Sequence, residues 1–412
     1  MKYGLIGEHL GHSFSRIIHT RFRDYDYELC EIAPKELDAF MMRRDFLAIN
    51  VTIPYKELVI PYLYYIDDKA KEIGAVNTVV NKGGKLYGYN TDFIGMKALI
   101  SRAGISLEGK KVAVLGTGGT SKTACAVAKD GGALGTVKVS RSIRDDAITY
   151  RELYSDYSDV EIIINTTPVG MYPNCYGCPI DLSRLPKVEG VIDAVYNPIR
   201  TLLVSEAKRR NINAVGGLYM CVSQAVSASE LFLGDSVPED TAEKIYREIS
   251  REKENIVLVG MPASGKSTVG RILAERLSRK FVDTDALIEE RAGTSIPEIF
   301  KRHGEEYFRD LESEVIFDVA KENSLVIATG GGAVLREANI YALGQSGKIY
   351  FIDRPLSALI PTEDRPLSST REAIEKRYSE RYGTYSSVCD CKIDADCAPE
   401  EVADRILEDF CK

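Results

Sequence analysis

The chain has 412 residues, of which 44% are hydrophobic and 28% are charged, and its formal net charge is −8. This composition predicts a globular protein that buries substantial cores in two or three domains. The negative net charge argues against nucleic acid or an anionic membrane as a partner, since either would require a basic surface. A negative net charge is compatible with small charged metabolites as ligands. The composition does not indicate an oligomeric state.

The first residues run straight into a predicted strand rather than a signal peptide, and no segment approaches the ~20 apolar residues of a membrane helix. Nine cysteines, scattered through apolar and loop segments, are typical of reduced thiols. The pair Cys175-x-x-Cys178 has no second pair or histidine cluster at zinc spacing, so we interpret it as a surface loop. These features predict a cytoplasmic protein.

Residues 1–100 alternate short apolar strands with helical segments, which is typical of a small α/β domain. Strands are predicted at 3–6 and 46–51, and helices at 14–22 and 34–43. We interpret this domain as a substrate-binding domain, because of the polar residues described next.

Four polar clusters fall where loops are predicted in this first domain. Each cluster alone is compatible with a helix cap or a turn, because Ser, Thr, Asn and Asp favour those positions. Four in succession instead predict a site for a polyol. The clusters contain Ser13 and Ser15, then Asn50, Thr52 and Lys56, then Asn77 and Thr78, and finally Asn90 and Asp92.

Residues 101–217 are predicted to form a second α/β domain around a dinucleotide-type turn. An apolar strand at 112–115 leads into GTGGTS at 116–121, which is followed by an apolar helix and a strand at 136–139. Such a turn brings the backbone close to dinucleotide phosphates, and here Ser121 replaces the usual third Gly or Ala. The cofactor-binding residues expected in the turn are Gly116, Gly118, Gly119 and Thr120.

The end of the second strand of this domain favours NADP over NAD. An NAD site has Asp or Glu here to bind the ribose, whereas this chain has Ser140 and Arg141. An arginine at this point accommodates a 2′-phosphate, and the alternative is a solvated arginine in a turn.

Two further strands, predicted at 161–165 and 190–194, end in polar segments. Doubly wound sheets bind ligands at the carboxyl ends of their strands. A helix predicted at 219–232 follows, and the charged segment 240–255 predicts a short helix that connects to the rest of the chain. We expect helices within 218–250 to complete the first domain.

In order along the chain, these motifs resemble those of shikimate dehydrogenases, from about residue 4 to residue 233. The resemblance rests on Ser13-x-Ser15, NVTIPYK at 50–56, GAVNT at 74–78, GYNTDFIG at 88–95, NTTPVGM at 165–171 and Gln224. It implies that the substrate's hydroxyls and carboxylate are held by Ser13, Ser15, Thr52, Asn77, Asp92, Tyr196 and Gln224.

The same resemblance implies that Lys56 and Asp92 are the catalytic pair. Reduction of a ketone creates an alkoxide, which needs a proton donor and a positive charge nearby. A lysine beside a carboxylate can supply both, because proximity and desolvation tune its acidity.

A phosphate-binding loop opens a third domain, predicted at 254–412. GMPASGKS at 260–267 matches G-x-x-x-x-G-K-[ST] between an apolar strand at 256–259 and a helix at 268–277. In this context backbone N–H groups cradle nucleotide phosphates, Lys266 reaches the outer phosphates and the Ser267 hydroxyl binds Mg²⁺. The nucleotide-binding residues expected are Gly260, Ser264, Gly265, Ser267 and Thr268.

Two carboxylates follow the loop, and we predict that Asp283 and Asp285 share one face of a short strand. Asp283 is expected to serve Mg²⁺ through water, and Asp285 to orient a substrate hydroxyl and accept its proton. A helix is expected to begin at Gly304 and to carry Arg309. A buried strand at 325–329 ends in three glycines, where a ligand can approach the backbone.

Together with Arg365 and Arg381, these features resemble shikimate kinase over about 256–394. The resemblance implies ATP and Mg²⁺ as cofactors. Shikimate would be bound by Asp285, Arg309, Gly331, Gly332 and Arg381, with the two arginines on its carboxylate. Arg365, which follows a segment without the basic residues common there, would stabilise charge on the transferring phosphoryl group.

We therefore expect an α/β protein in which a two-domain dehydrogenase, with a substrate domain and a Rossmann-like NADP domain, precedes a P-loop kinase domain with a parallel sheet. By resemblance, the first half reduces 3-dehydroshikimate with NADPH and the second converts shikimate to shikimate 3-phosphate with ATP. Three alternatives stay open. They are a quinate/shikimate dehydrogenase that uses NAD, a non-catalytic ligand-binding first half, and a kinase of another small alcohol.

Overall fold

The computed structural model describes residues 1–11, 13–144, 146–360 and 370–411, and all structural statements refer to these residues. The chain divides into two compact units, Met1–Ile249 and Ser250–Lys412. The first unit contains two six-stranded sheets and the second contains one five-stranded sheet. The predicted α/β class is therefore confirmed.

The first sheet is mixed, with strand order β2-β1-β3-β5-β6-β4. Strand β3 pairs antiparallel with β5, and β5 pairs antiparallel with β6. All four residues of β3 are buried, as expected for an apolar strand that is covered on both faces. The strands are β1 (Tyr3–Gly7), β2 (Tyr27–Glu31), β3 (Ala48–Val51), β4 (Tyr65–Ile66), β5 (Thr78–Lys82) and β6 (Lys85–Tyr89), and the helices are α1 (Ser15–Phe22), α2 (Leu37–Arg43), α3 (Asp68–Ile73) and α4 (Thr91–Arg102).

The second sheet is parallel throughout, with strand order β12-β11-β10-β7-β8-β9. Apolar clusters cover both of its faces, which is the arrangement that alternating strands and helices produce. The strands are β7 (Lys111–Leu115), β8 (Gly135–Ser140), β9 (Ile148–Thr149), β10 (Ile162–Asn165), β11 (Gly190–Asp193) and β12 (Asn213–Val215), and the helices are α5 (Gly119–Asp130), α6 (Tyr150–Ser155) and α7 (Leu202–Arg209).

The register of this sheet aligns the ends of four strands. Leu115 lies opposite both Asn165 and Val139, and Asn165 lies opposite Asp193. The loops that follow these residues therefore leave the sheet side by side at its carboxyl edge.

Two helices, α8 (Leu218–Leu233) and α9 (Thr241–Lys253), follow the second sheet. Helix α8 packs against α4 and α1, and α9 buries Ile245 and Ile249 in a cluster that includes Ile18 of α1. The helix predicted within 240–255 is therefore present. The boundary between the two compact units falls inside it.

The third sheet is also parallel, with strand order β14-β15-β13-β16-β17. Apolar clusters again cover both faces. The strands are β13 (Asn255–Val259), β14 (Lys280–Asp283), β15 (Leu325–Ala328), β16 (Gly347–Asp353) and β17 (Cys391–Asp394), and the helices are α10 (Lys266–Leu277), α11 (Thr284–Ala292), α12 (Ile296–Val319), α13 (Glu337–Ser346), α14 (Arg371–Val388) and α15 (Pro399–Phe410). In the described part of the chain, no helix is both long and apolar enough to cross a bilayer.

One local prediction for the second unit is wrong. Asp285 does not share a strand with Asp283, because the Asp283 carboxylate accepts the backbone N–H of Asp285 at 3.1 Å and caps α11, which ends the strand. A helix does begin after Gly304 as predicted, because a left-handed φ of 82° at Gly304 breaks the range Ile296–Val319 into two helices, of which the first begins at Ile296. Arg309 lies on the segment after that break.

Asp193 is fully buried at the end of β11 and accepts hydrogen bonds from three donors. These are Asn165 Nδ2 at 2.9 Å, the Val195 N–H at 3.0 Å and the Thr201 hydroxyl at 2.6 Å. Burial nevertheless raises the pKa of Asp193 to about 6, because the hydrogen bonds only partly offset the lost hydration. The carboxylate thus ties together the loops after β10 and β11.

We predict that ionisation of Asp193 lowers the local free energy of unfolding by roughly 2–3 kcal/mol as the pH rises from 4 to 7. The folded pKa of Asp193 lies above the unfolded value of ~3.9. The protonated side chain therefore contributes its full stabilisation below the unfolded pKa, and this contribution is lost as the pH rises through about 6. Amide hydrogen exchange in peptides that cover β10 and β11 measures the effect. Asp193→Asn should remove this part of the pH dependence, and an unchanged slope in that variant would contradict the prediction.

Candidate active sites

The first unit contains a cavity of about 520 Å³ that brings together the residues predicted to bind and convert a polyol. They come from loops beside strands of both sheets of the unit and from helices α1, α4 and α8. All eight line this one cavity: Ser13, Ser15, Thr52, Lys56, Asn77, Asp92, Tyr196 and Gln224.

Lys56 and Asp92 form an ion pair in this cavity, with Lys56 Nζ 2.6 Å from Asp92 Oδ2. Their side chains are only 13% and 9% exposed, so the interaction is screened less than a surface ion pair. Asp92 lies in the first turn of α4, which the Asn90 side chain caps by accepting the Phe93 N–H. The pair therefore places a proton-bearing cation and a carboxylate side by side at the cavity wall.

A buried hydrogen-bond network fixes the side chain of Asn77. Its Oδ1 accepts the Thr91 N–H at 2.7 Å, and its Nδ2 donates to the Thr91 hydroxyl at 3.0 Å. Behind it, Asn50 donates to the Thr78 hydroxyl at 3.1 Å and accepts from the Tyr27 hydroxyl at 2.7 Å. Because each amide has several partners, the network holds the polar wall in one arrangement.

The hydroxyl groups of Ser13, Ser15 and Tyr196 form a second polar cluster. Ser13 Oγ donates to Ser15 Oγ at 3.1 Å, and the Tyr196 hydroxyl is hydrogen-bonded with Ser13 and the Phe14 backbone. Burial raises the pKa of Tyr196 far above its ordinary value, so the phenol stays protonated and can donate. These hydroxyls suit a ligand with oxygen acceptors.

Other cavity-lining residues escaped the sequence predictions, including Met220 and Cys221. Both lie on α8, one helical turn before Gln224, so the three- and four-residue spacing of a helix could have identified them. Burial raises the pKa of the Cys221 thiol to about 12, and the nearby Asp92 carboxylate adds to this. The thiol is therefore neutral.

The dinucleotide-type turn after β7 has the geometry of an anion site. Helix α5 starts after Gly118 with no side-chain cap and no acidic residue in its first turn, and a Cβ on Gly118 would meet nothing within 4 Å. Free N–H groups and open space suit a pyrophosphate. Ser121 is fully buried and donates to the Gly116 carbonyl at 2.7 Å, so this serine closes the turn from inside.

The residues predicted to select NADP lie beside this turn. The Gly116 N–H donates to the Val139 carbonyl at 2.9 Å, which joins the turn to the end of β8. Ser140 follows, and its hydroxyl accepts the Ser142 N–H at 3.2 Å. Arg141 is exposed between them, at the strand end where an NAD site has a carboxylate. Thr120, from the turn itself, lines the cavity 3.5 Å from Lys56 Nζ.

The phosphate-binding loop of the second unit has the predicted form. Gly265 has a left-handed φ of 92°, and α10 begins directly after it with neither a side-chain cap nor an acidic residue in its first turn. Ser264 is buried, Thr268 lies in the first turn of the helix, and Lys266 Nζ donates to the Gly260 and Met261 carbonyls at 2.9 and 2.8 Å. The N–H groups that start the helix therefore suit a phosphate.

The two residues predicted to serve a metal ion lie together. The Ser267 hydroxyl donates to Asp283 Oδ2 at 2.7 Å. Mg²⁺ usually takes one or two protein oxygens and completes its shell with phosphate and water. Ser267 and Asp283 therefore fit a Mg²⁺ ion that accompanies a nucleotide.

A second cluster of the predicted residues surrounds the glycines after β15. Arg309 donates to Glu312 Oε2 at 2.7 Å and to Glu305 at 3.1 Å, and Arg381 donates to the Gly331 carbonyl at 3.1 Å. A Cβ on Gly332 would lie 2.1 Å from Arg309 Nη1, so only glycine leaves room for this guanidinium.

Asp285 lies at this cluster as well, since a Cβ on Gly330 would be 2.5 Å from Asp285 Oδ1. The same Cβ would lie 2.9 Å from Glu312 Oε1, which places two carboxylates beside one backbone position. Gly331 in turn packs against Pro262 of the phosphate-binding loop. The arrangement puts the Asp285 carboxylate and two arginines next to the phosphate-binding loop.

Glu312 is the most important residue that the sequence analysis missed here. Burial raises its pKa, while Arg309 opposes the shift and Asp285 adds to it. Its three-residue helical spacing from Arg309 was a signal that could have identified the pair. The predicted lid arginine, Arg365, lies outside the described residues.

The cysteines agree with the predicted reduced state, because none of the nine forms a disulfide bond in the described structure. Within the described ranges, no cluster of three or more His, Cys, Asp or Glu side chains could hold a metal ion. Cys175 and Cys178 therefore show no metal-binding arrangement.

Comparison with protein families gives two matches. Residues 5–79 match the model of the shikimate dehydrogenase substrate binding domain, and residues 262–411 match the model of shikimate kinase. The two matches fall in different compact units.

Similar proteins extend the first match beyond the substrate domain. The shikimate dehydrogenase (NADP(+)) of Clostridium perfringens (strain 13 / Type A) is 38% identical over 264 residues, which cover 60% of this chain and 97% of the relative. The crystal structure of shikimate dehydrogenase 1 from Peptoclostridium difficile has a TM-score of 0.56 at 35% identity, and the match covers 60% of this chain and 98% of that one. Quinate dehydrogenase from Corynebacterium glutamicum, solved in complex with NAD, has a TM-score of 0.53 at 25% identity, with 60% and 98% covered.

The matches account for the motifs of both compact units. The polyol cavity and the dinucleotide turn lie in the unit that resembles the dehydrogenases, and the phosphate-binding loop lies in the unit that matches the kinase model. The chain therefore belongs to the shikimate dehydrogenase family and continues into a shikimate kinase domain, which makes it a bifunctional enzyme of the shikimate pathway that uses NADP and ATP.

Proposed function

We propose that the first unit reduces 3-dehydroshikimate to shikimate with NADPH and that the second phosphorylates the shikimate 3-hydroxyl with MgATP. The observation that carries the first half is the buried Lys56–Asp92 pair in a cavity lined by six further polar residues of the predicted site. The proposed setting is the cytoplasm, and the proposed partners are these small molecules.

Lys56 and Asp92 divide the work of the reduction. NADPH, when bound, supplies the hydride to the ketone carbon. Lys56 holds a proton at Nζ, gives it to the ketone oxygen as negative charge develops there, and stabilises that charge before transfer. Asp92 keeps the lysine oriented through its 2.6 Å contact and accepts a hydrogen bond from a substrate hydroxyl.

Substrate orientation falls to the hydroxyl and amide groups around this pair. Ser13, Ser15 and Tyr196 present hydroxyls that suit the substrate carboxylate, while Asn77, Thr52 and Gln224 suit its ring hydroxyls. Because the network behind Asn77 is already complete within the protein, binding requires little reorganisation of that wall.

Quinate with NAD is the near alternative, and the structural likeness to a quinate dehydrogenase keeps it relevant. Arg141 supports NADP, because the end of β8 carries an exposed guanidinium where an NAD site would carry a carboxylate. A non-catalytic first half is disfavoured, since simple binding does not require a buried lysine against a carboxylate.

In the second unit, Asp285 is proposed to accept the proton of the shikimate 3-hydroxyl, while Arg309 and Arg381 hold its carboxylate. Arg309 already contacts Glu305, but that glutamate is 53% exposed, so a ligand carboxylate can replace it at small cost. Lys266 stabilises the transferring phosphoryl group, and Ser267 and Asp283 would hold Mg²⁺ with the nucleotide. Arg365 is proposed to act on the same group.

One assay tests both halves, and a parallel sample with quinate and NAD tests the near alternative. Purified full-length chain is given 3-dehydroshikimate, NADPH and MgATP, and NADPH loss and shikimate 3-phosphate are followed in the same sample. Both signals are expected. NADPH loss without phosphorylated product would contradict the kinase half, and faster turnover of quinate with NAD would contradict the dehydrogenase half.

We predict that Lys56→Ala lowers the kcat of NADPH oxidation by about 10²- to 10⁴-fold, the usual contribution of a general acid. Phosphorylation of added shikimate should not change. Lys97→Ala is the matched control, because Lys97 lies on the same helix as Asp92 but is half exposed and pairs with Asp130. Near-normal NADPH oxidation in Lys56→Ala would exclude Lys56 from the reaction.

We predict that Arg141→Ala raises the KM for NADPH by about tenfold or more and leaves the KM for NADH nearly unchanged. The variant removes a charge-assisted hydrogen bond to the 2′-phosphate, which NADH lacks. Initial rates with each cofactor at saturating substrate measure the two constants. Equal increases for both cofactors would assign Arg141 a structural role instead.

For the second unit, we predict that Lys266→Ala abolishes phosphoryl transfer, whereas Asp285→Asn lowers kcat by about 10²- to 10⁴-fold and keeps ATP binding. The asparagine amide cannot accept the substrate proton. Kinase rates and equilibrium binding of ATP separate these effects, with NADPH oxidation as the internal control for folding. Normal turnover in Asp285→Asn would place the proton acceptor elsewhere.

A further inference from the structure

The carboxyl end of β16 lies directly against the phosphate-binding loop. Strands β13 and β16 are paired, with Val259 opposite Phe351, so the loop and the residues after Phe351 leave the same edge of the sheet. A Cβ on Gly260, the first residue of the loop, would lie 2.8 Å from the Ile352 carbonyl oxygen. The chain that follows Ile352 therefore cannot move far from the loop.

Arg354 extends from this point toward the other glycine of the loop. A Cβ placed on Gly265 would have Arg354 Nη1 as its single heavy-atom neighbour within 4 Å, at 3.8 Å. Gly265 immediately precedes α10, whose first N–H groups face the nucleotide phosphates in a loop of this type. The guanidinium is thus held at the entrance to the phosphate site.

No carboxylate of the described residues neutralises this guanidinium. Arg354 Nε is buried without a hydrogen-bond partner among residues 1–11, 13–144, 146–360 and 370–411. The neighbouring carboxylate, Asp353, is engaged by the Tyr382 hydroxyl at 2.9 Å and by Lys392 at 3.3 Å. By contrast, Arg309 and Arg336 each contact two carboxylates.

Holding a half-buried guanidinium without a counter-charge is unfavourable, so such a group normally has an anion to bind. The phosphate chain of a nucleotide is the anion that the adjacent loop is shaped to hold. A guanidinium also suits it chemically, because its planar fork donates two parallel hydrogen bonds to phosphate oxygens.

We propose that Arg354 is a nucleotide-binding residue that donates hydrogen bonds to the phosphate chain of ATP from the β16 side of the loop. The proposal rests on the proposed kinase function of the second unit. It adds a further cation at the phosphates beside Lys266, contributed by the residue that follows β16, which lies outside the loop motif.

The test uses the full-length chain with Mg²⁺ present. NADP at saturation is added only to the ADP-binding measurements, which contain no shikimate, so that the dinucleotide site does not take up ADP and the first unit does not oxidise shikimate. Arg354→Ala should raise the KM for ATP and the Kd for ADP by about ten- to a hundredfold, as expected when a charge-assisted hydrogen bond is lost. The KM for shikimate should stay within twofold. Arg354→Lys should recover part of the loss, because it keeps the charge but not the fork.

Tripolyphosphate separates a phosphate contact from stacking on the base. Tripolyphosphate is used as a competitive inhibitor against ATP. Its inhibition constant should rise in Arg354→Ala by the same factor as the Kd for ADP. If ADP binding weakens while tripolyphosphate inhibition is unchanged, Arg354 contacts the adenine and the proposed contact is wrong. Unchanged affinity for both probes would also overturn it.

Arg271→Ala is the matched control, since Arg271 is exposed on α10 and its guanidinium lies over the Phe281 ring. It removes the same charge from the same unit and should leave all nucleotide constants unchanged. If Arg354→Ala does not fold, Arg354→Lys and Arg354→Gln are compared instead, and equal ADP affinities in those two variants would contradict the proposal. A wild-type chain that binds ADP but does not phosphorylate shikimate would refute the kinase function and leave the Arg354 contact testable.

Discussion

Parallel strands that end at the same edge of a sheet constrain both candidate sites. In the first unit, the register that aligns Leu115, Val139, Asn165 and Asp193 brings the dinucleotide-type turn, Arg141 and two further loops to one edge. In the second unit, the pairing of β13 with β16 brings Arg354 to the phosphate-binding loop. Side chains far apart in sequence become neighbours there because the strands point the same way.

Both anion sites use the start of a helix that lacks a side-chain cap. Helices α5 and α10 each begin after a glycine, with no acidic residue in the first turn. Other helices of the same chain, such as α4 and α11, are capped by Asn90 and Asp283. An uncapped start leaves N–H groups for a phosphate, so the missing cap is consistent with cofactor binding in both units.

Burial of charge distinguishes the functional polar groups from the surface ion pairs. Lys56 and Asp92 form an ion pair at 2.6 Å, and Arg309 and Glu312 form another at 2.7 Å. Asp193 has no cationic partner, and burial raises its pKa although three neutral donors oppose the shift. Among the described residues, no carboxylate forms an ion pair with Arg354, and its Nε has no hydrogen-bond partner. We therefore expect a bound anion as its partner.

The local sequence determined the fold class and both glycine-rich turns, because these depend on short motifs with fixed backbone requirements. The resemblance of its motifs to those of shikimate dehydrogenases implied that eight residues share one substrate site, and all eight line one cavity. Glu312 was also within reach of the sequence, because it lies three residues after Arg309 on a helix.

Only the tertiary structure decided the remaining features. Whether Asp285 continues a strand or starts a helix depends on a capping bond from Asp283, which propensity alone does not settle. The burial of Asp193 and the pairing of Asn77 with Thr91 depend on which strands are neighbours. In the sequence, Arg354 is an ordinary charged residue outside any motif. Its proximity to Gly265 arises from the pairing of β16 with β13, which joins segments about ninety residues apart in the chain.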